Sequence, residues 1–463
     1  MQHYLSYYYL AVIVLRRKVY EELLRWKSNH KKCLVVKGQR QVGKSFIIER
    51  FGENEYDDLI RIDFSQDDGL VKLFSDRRVD EMIKAISIYT RKTPVPGKTL
   101  LFLDEIQECP QAYSALKSFS LDGRYDVIAS GSLLGIERKG RRKNKEDTEP
   151  LIPLGYEEDI TMFGLDFEEF LWAMGVEENI INDVRESVRK KEPINDFILE
   201  RFTRLFREYM VVGGMPESVQ TYVDSNSFSE SGRVLDGILN TCIRDINRYN
   251  EGIDILKTTE CFESIPGQLA QSNKKFMYSR ISGEGSRRSS DKYMGNLMWI
   301  MQAGYGNCCY ALRSPELFLK SNMVKDHFKV YFSDTGMLLR KYGHNAEKAI
   351  FQGDLSVNIG ALAENVVAEC LMKAGIPPYY YSKRRNPGMM EIDFILECEG
   401  GVVAVEVKSG KDRDAPSIEK IDAFFSIERK IKLENTNVFV DGDGVEHYPF
   451  FAAAFARDLG FTS

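Results

Sequence analysis

The chain has 463 residues, 29% of them charged, with 63 Lys and Arg against 69 Asp and Glu, for a net charge of −6 at pH 7. That length exceeds what one hydrophobic core ordinarily organises and predicts about three domains at ~150 residues each. The balanced charge supplies no global positive field for nucleic acid, so any such contact must come from local basic patches. The eight cysteines contain no C-x-x-C pair and the five histidines are scattered, which argues against a zinc framework and suits a reducing, cytoplasmic compartment.

Residues 1–15 read as an N-terminal extension. Their apolar run, YYYLAVIVL over 7–15, is well short of the ~20 residues that span a bilayer. It has neither a basic start nor a small-residue cleavage site, so no membrane contact is expected. Residues 16–26 pattern as an amphipathic helix leading into the first domain.

The apolar run 33–36 predicts a buried strand, and residues 46–50 predict a helix start. Between them stands GQRQVGKS: Gly38, Gln39, Arg40, Gln41, Val42, Gly43, Lys44 and Ser45 fill every specified place of G-x-x-x-x-G-K-[ST]. Glycines let backbone N–H groups close around phosphates at a helix N-terminus, where the partial positive charge lies. Lys44 is expected to reach the β and γ phosphates of ATP, and Ser45 to hold Mg²⁺ through its hydroxyl.

Further along, residues 59–64 predict a strand, 79–89 a helix and 99–103 a buried strand that delivers Asp104 and Glu105 at its carboxyl end. Asp104 is the expected second Mg²⁺ ligand, and Glu105 is placed to polarise the attacking water. A fourth strand, 125–129, runs into Ser130-Gly131-Ser132. Ser130 or Ser132 is a candidate sensor of the γ-phosphate, with a plain strand-ending turn the equal alternative. Strands alternating with helices predict an α/β P-loop domain over 16–175, with a parallel sheet and its ligand at the carboxyl ends of the strands.

Residues 138–145 pack six basic side chains into eight positions. They read either as a phosphate-backbone contact or as a solvated loop offset by Glu146 and Asp147.

The segments GQRQVGKS, LLFLDEIQE, VIASGSLLG and LDFEEFL (165–171) together resemble a prokaryotic family of AAA-type ATPases whose members carry a C-terminal region of uncharacterised function. The resemblance implies that the nucleotide site is formed by 38–45 with Asp104 and Glu105. GGMPE at 213–217, Arg244-Asp245-Ile246 and FKVYFSDTGML at 328–338 are similar to further segments of that family. In one place the chain departs from it. Many relatives have Gly-Arg before the DFEEF-like segment, whereas Gly155-Tyr156 stands here, which leaves the identity of a charge-stabilising arginine open.

A helical segment is expected over 176–255 and a winged helix-turn-helix over 256–345. In the latter the second helix is read over 275–279 and the third over 292–303, opened by Arg287-Arg288-Ser289-Ser290, with wing strands over 305–312 and 328–332. DNA contact and protein interaction are both open to such a module.

Residues 346–463 predict an α/β domain of different chemistry. The strand 388–396, the turn Glu399-Gly400-Gly401 and the strand 402–408 place Asp393 on one strand and Glu406 and Lys408 on one face of the next, since side chains repeat every two residues. Glu364, on a helix over 361–373, adds a carboxylate. Carboxylates that bind Mg²⁺ or Mn²⁺, with a lysine to stabilise charge, are what phosphodiester cleavage needs. The pattern resembles the restriction-endonuclease-like PD-(D/E)XK superfamily, which implies a nuclease-like fold with Glu406 and Lys408 as catalytic residues and Glu364, Asp393 and Glu406 as metal ligands. Residues 383–385, KRR, are a second candidate DNA contact.

Two functions fit. One is a cytoplasmic Mg-dependent ATPase whose nucleotide state controls a DNA-binding region and a metal-dependent nuclease. The other is a nucleotide-controlled signalling or assembly protein whose C-terminal domains are interaction modules. A homo-oligomer is compatible with either.

Overall fold

The computed structural model describes residues 15–29, 32–132, 155–281, 289–343, 346–347, 350, 359–384, 389–409 and 416–462. The basic run 138–145, Arg287, Arg288, Arg385 and most of the N-terminal extension lie outside the described residues.

Strands β1 (Cys33–Gly38), β2 (Asp58–Asp63), β3 (Thr99–Asp104), β4 (Asp126–Ser132) and β5 (Glu157–Met162) form one parallel sheet in the order β2-β3-β4-β1-β5. β1 and β3 are apolar and buried on both faces, as a sheet covered by helices on each side requires. The helices Lys44–Glu55, Val79–Thr90 and Pro110–Asp122 supply the covering. The sequence predicts the first four strands. β5 escapes it because an edge strand, Glu-Glu-Asp-Ile-Thr-Met, is mostly exposed and shows no apolar run. Register pairs Gly38 with Ser132 and with Met162, and Asp63 with Asp104, so the carboxyl ends of β1, β3 and β4 lie together.

After β5, Asp166 starts the helix Phe167–Ala173 with a capping box: its carboxylate accepts from Glu169 N at 2.9 Å and its own N–H donates to Glu169 at 3.1 Å. The helix Asp196–Val212 ends at Gly213, whose φ of +73° suits glycine, and Pro216 opens the next, Pro216–Ser225. The long helices Phe228–Tyr249 and Ile253–Leu269 follow.

The second sheet is mixed and nine-stranded. It comprises β6 (Gly306–Leu312), β7 (Met323–Phe332), β8 (Tyr379–Arg384), β9 (Met389–Cys398), β10 (Gly401–Lys408), β11 (Arg429–Glu434), β12 (Phe439–Val440), β13 (Val445–Pro449) and β14 (Phe461–Thr462). Its path is β12-β13-β11-β10-β9-β8-β6-β7, with β14 on β9. The expected wing hairpin, β6–β7, is therefore part of the C-terminal sheet, because β6 pairs with β8 in parallel through Tyr310 and Ala311. The sheet runs straight across the boundary expected near 345.

The expected second helix over 275–279 is a correction. Lys275 makes an antiparallel bridge to Lys329, Phe276 N donates to Phe328 O at 2.9 Å, and only the turn Tyr278–Arg280 is helical, of the tight 3-10 kind. Stacking of Phe276 on Phe328, centroids 5.9 Å apart, favours the extended course over a helix too short to stand alone. The third helix forms, as Ser289–Gln302. Beyond β10 the chain forms the short helix Pro416–Lys420, followed by a tight turn, and β12 has only two residues.

One apolar core runs from Val19, Val36 and Phe51 through Phe167 and Phe206 to Phe394 and Phe455, so the first domain and everything described after residue 175, the C-terminal body, share it. The other face of the parallel sheet has a separate core around Val35, Ile62 and Leu116.

Candidate functional site

The phosphate loop leaves β1 and closes on itself. Gly38 has no room for a Cβ against the Met162 carbonyl, and Gly43 adopts φ +89° at the start of the Lys44–Glu55 helix. Lys44 is buried, and its Nζ donates to the carbonyls of Gly38 at 3.0 Å and Gln39 at 2.9 Å. Burial pushes its ammonium down to about 8, against the opposing pull of Glu105 and Asp104. Two buried donors beside it, Gln39 Nε2 and Arg40 Nε, have no hydrogen-bond partner among the described residues. A loop with a forced glycine, a desolvated lysine and unmatched N–H groups fits an anionic phosphate chain.

Asp104 closes the site from β3. Its Oδ1 accepts from Ser45 Oγ at 3.0 Å, from Glu105 N at 3.1 Å and from Ser130 Oγ. Its Oδ2 pairs with Arg61 at 2.6 Å. The carboxylate and hydroxyl are both oxygen donors on one side of the loop, the set Mg²⁺ takes. Ser130, a candidate sensor, is thus a partner of Asp104; Ser132 ends β4 beside Gly38. Glu105 stands in the left-handed region at φ +52°, and Gln107 Nε2 donates to its carboxylate. A non-glycine residue in that conformation costs about 1–3 kcal/mol and persists where surrounding structure imposes it.

Sequence reasoning missed three contributors. Arg17 is buried, with Nη1 donating to Val42 O at 3.1 Å, Nη2 to Phe163 O at 2.6 Å and Nε pairing with Glu169 at 3.2 Å, so it braces the loop against the segment after β5. It was hidden in the amphipathic helix expected over 16–26. Arg61 alternates with buried residues on β2, a pattern indistinguishable from a solvent face. The third is contact with the C-terminal body: Ser333 Oγ donates to Gln39 Oε1 at 3.2 Å, and Arg40 reaches Tyr249 Oη at 2.6 Å and Asp245 Oδ1 at 3.2 Å.

Segments GGMPE, DFEEF and SDTG meet behind that contact. Leu165 N donates to Gly214 O at 2.6 Å, Gly214 N to Asp334 Oδ2 at 2.6 Å, and Thr335 N and Oγ1 to Glu369 Oε2 at 2.7 and 2.6 Å. Lys373 Nζ joins Glu369 at 2.6 Å, the Leu165 carbonyl at 2.8 Å and Tyr209 Oη at 2.9 Å. The network satisfies buried polar groups that would otherwise each cost about 1–3 kcal/mol.

In the C-terminal body Asp393, Glu406 and Lys408 converge. Asp393 Oδ2 accepts from Val407 N at 3.0 Å, and Lys408 Nζ pairs with Glu406 Oε1 at 3.0 Å. Burial, Glu364 and Glu406 push Asp393 well up. Glu406 Oε2 is buried without a partner among the described residues. Lysines stand among the acids expected as the metal set, Glu364, Asp393 and Glu406. Among the described residues no group of three His, Cys, Asp or Glu side chains is arranged to hold a metal ion. Lys329 of β7, 1% exposed, stands between the acids at 3.3 Å from Glu364, 3.6 Å from Glu391 and 3.8 Å from Asp393, and Lys274 also pairs with Glu364. Burial works against the charge of Lys329, and Glu364, Asp393 and Glu391 more than offset it. With both lysines beside it and Tyr331 donating at 3.0 Å, Glu364 is held down at about 2 despite burial. A lysine in the apolar run FKVYF is the signal that could have announced this cluster.

Residues 30–171 match the model of an AAA domain, 203–348 a domain of unknown function (DUF8612) and 359–451 another (DUF4143). No curated protein matches the chain. Solved structures similar to it include the Walker-type ATPase of Pyrococcus abyssi, at 12% identity and a TM-score of 0.43, covering 71% of this chain and 96% of that one. A signal transduction ATPase with numerous domains and a tetratricopeptide repeat sensor, from Pyrococcus horikoshii, is 15% identical with a TM-score of 0.25, over 78% of this chain and 48% of that one. The RuvB Holliday junction branch migration motor of Thermotoga maritima is 11% identical with a TM-score of 0.26, over 63% and 89%. These structural likenesses are too distant to bear on function. The family match makes the N-terminal region an AAA-type ATPase domain. No helix among the described residues is long and apolar enough to cross a membrane.

Proposed function

We propose that this chain is an ATP-driven switch: an Mg-dependent ATPase whose nucleotide state is passed to the C-terminal body. The observation that carries the reading is that Gln39 and Arg40, inside the phosphate loop, contact Ser333, Asp245 and Tyr249 of that body. Lys44 holds the β and γ phosphates, and Ser45 and Asp104 hold magnesium, which when bound neutralises phosphate charge. Glu105, kept in its left-handed conformation, orients the attacking water and takes up its proton. In this reading Lys329 and Lys274 close the acid cluster of Glu364, Glu391 and Asp393 as an ion-pair core, Lys408 holds Glu406, and the body serves as an interaction module. The joined β6–β13 sheet supports treating 256–345 and 346–463 as one unit. Eight cysteines with no disulfide among them suit a cytoplasmic setting.

A second reading keeps the body as a metal-dependent deoxyribonuclease, with Glu406 and Lys408 at its centre and Mg²⁺ or Mn²⁺ on Glu364, Asp393 and Glu406. The unpartnered Glu406 Oε2 beside Asp393 favours it. One experiment separates the two: linear and supercoiled DNA are incubated with the protein and Mg²⁺ or Mn²⁺, with and without ATP, beside Glu406→Ala. Cleavage that Glu406→Ala abolishes establishes the nuclease. ATP turnover with equal inactivity of both proteins on DNA favours the switch alone, and absence of both ATP turnover and Glu406-dependent cleavage refutes both.

A further inference from the structure

The phosphate loop carries an arginine at its tip whose partners lie far away in sequence. Arg40 Nη2 donates to Tyr249 Oη at 2.6 Å and Nη1 stands 3.2 Å from Asp245 Oδ1. Asp245 is buried, and Tyr305 Oη donates to its other oxygen at 2.5 Å. Asp245 and Tyr249 belong to the last two turns of the Phe228–Tyr249 helix, and Tyr305 directly precedes β6. The same helix end reaches the segment after Glu105, with Arg248 4.0 Å from Glu108. Arg40 thus ties the loop to the end of the Phe228–Tyr249 helix, and through Asp245 to Tyr305.

The other arginines around the loop are committed elsewhere. Arg17 is spent on Val42, Phe163 and Glu169, and Arg61 on Glu49, Asp63 and Asp104. Arg40 alone of these three keeps a buried N–H, Nε, without a partner among the described residues. Arg40 lies in the same phosphate loop as Lys44, and its charge acts on both Lys44 and Glu105, the residues expected to meet the γ-phosphate and the attacking water. Among the described residues its ion-pair partner is a single carboxylate, Asp245.

We propose that Arg40 is the γ-phosphate sensor of this ATPase: Asp245 and Tyr249 hold its guanidinium when no γ-phosphate is bound, and a triphosphate draws it away from them, freeing the end of the Phe228–Tyr249 helix. The inference rests on the reading that this loop binds ATP. The direction follows from charge, because a terminal phosphate carries more negative charge than one carboxylate and accepts planar, bidentate bonds from an arginine. A diphosphate presents no such group at that position and leaves the Arg40–Asp245 pair intact. A ligand moves such an equilibrium only by its differential affinity for the two states, so the sensor must show as a difference between ATP and ADP. Asp245 and Tyr305 are positioning residues: they act through Arg40.

The test is titration calorimetry of a non-hydrolysable ATP analogue and of ADP, with amide exchange over residues 240–250, on the full chain. Arg40→Ala should weaken the triphosphate analogue at least tenfold, change ADP no more than about twofold, and erase the difference in exchange between the two nucleotides. Asp245→Asn, which removes the competing charge, should raise the preference for triphosphate at least threefold and give the nucleotide-free protein the faster exchange of the triphosphate form. Tyr305→Phe, which removes one hydroxyl and keeps the ring, should move the preference the same way. A merely structural role for Asp245 would shift both affinities alike. If the wild type binds both nucleotides and Arg40→Ala weakens them equally, or keeps the exchange difference, the sensor is refuted while ATP binding stands. If the wild type binds neither, the ATP-binding reading falls and takes the sensor with it.

Discussion

Ser333 Oγ donates a hydrogen bond at 3.2 Å to Gln39 Oε1 across 294 residues of sequence. One residue directly follows the strand that carries Lys329, and the other is the second residue of the phosphate loop. The contact sets the phosphate loop against the end of the strand that carries Lys329.

Lys44→Ala should weaken binding of ATP and of ADP on the order of 10 to 100-fold, the worth of a charge-assisted contact to phosphate at about 1.5–3 kcal/mol. Titration calorimetry measures it. Unchanged affinity would remove the loop from the nucleotide site.

Glu105→Gln should leave ATP affinity within a few-fold of wild type and lower turnover by about 10²–10⁴, because the amide can still accept a hydrogen bond and cannot take up a proton. Phosphate release followed under saturating ATP reads this. Turnover equal to wild type would assign the water to another group.

Lys329→Met leaves Glu364, Asp393 and Glu391 without their central cation and should destabilise the fold by about 3–5 kcal/mol, the cost of breaking a buried pair. Thermal unfolding with and without Mg²⁺ or Mn²⁺ distinguishes the roles of the cluster. Restoration by the metal would show that the acids hold it, and a loss indifferent to metal fits the ion-pair core.

Asp334 accepts from Gly214 N and Met337 N, yet burial and the Glu369 carboxylate push it up from 3.8 to about 6, with Lys373 opposing. The folded state therefore holds the proton more tightly than the unfolded one. The stability this contributes is fully present below pH 3.8 and is lost as pH rises through about 6. Relative to Asp334→Asn, the wild type should lose about 2–3 kcal/mol of stability between about pH 4 and pH 7, because each tenfold difference in proton affinity between the folded and unfolded states is worth about 1.4 kcal/mol. Urea unfolding at the two pH values checks it, and parallel behaviour of the two proteins would show that folding leaves the Asp334 carboxyl no tighter a hold on its proton.

The sequence by itself determined what is local. The strand, loop and helix around Gly38–Ser45, the buried strand delivering Asp104 and Glu105, and the D-x₁₂-E-x-K hairpin are each encoded within about twenty residues, where apolar periodicity, glycine placement and two-residue alternation act directly on the chain. The tertiary structure decided whatever depends on pairing across long loops. β5 joins the sheet through hydrogen bonds to β1 rather than through its own pattern. The segment 275–279 is extended because Phe328 offers it a stacking partner about fifty residues away. Lys329 stands among the acids because β7, Met323–Phe332, packs against the Ile359–Lys373 helix that carries Glu364, and Arg40 meets Asp245 because the Phe228–Tyr249 helix ends over the phosphate loop. Backbone hydrogen bonds and buried charges take their partners from whatever the fold brings near, and neighbours in space leave no period in the sequence.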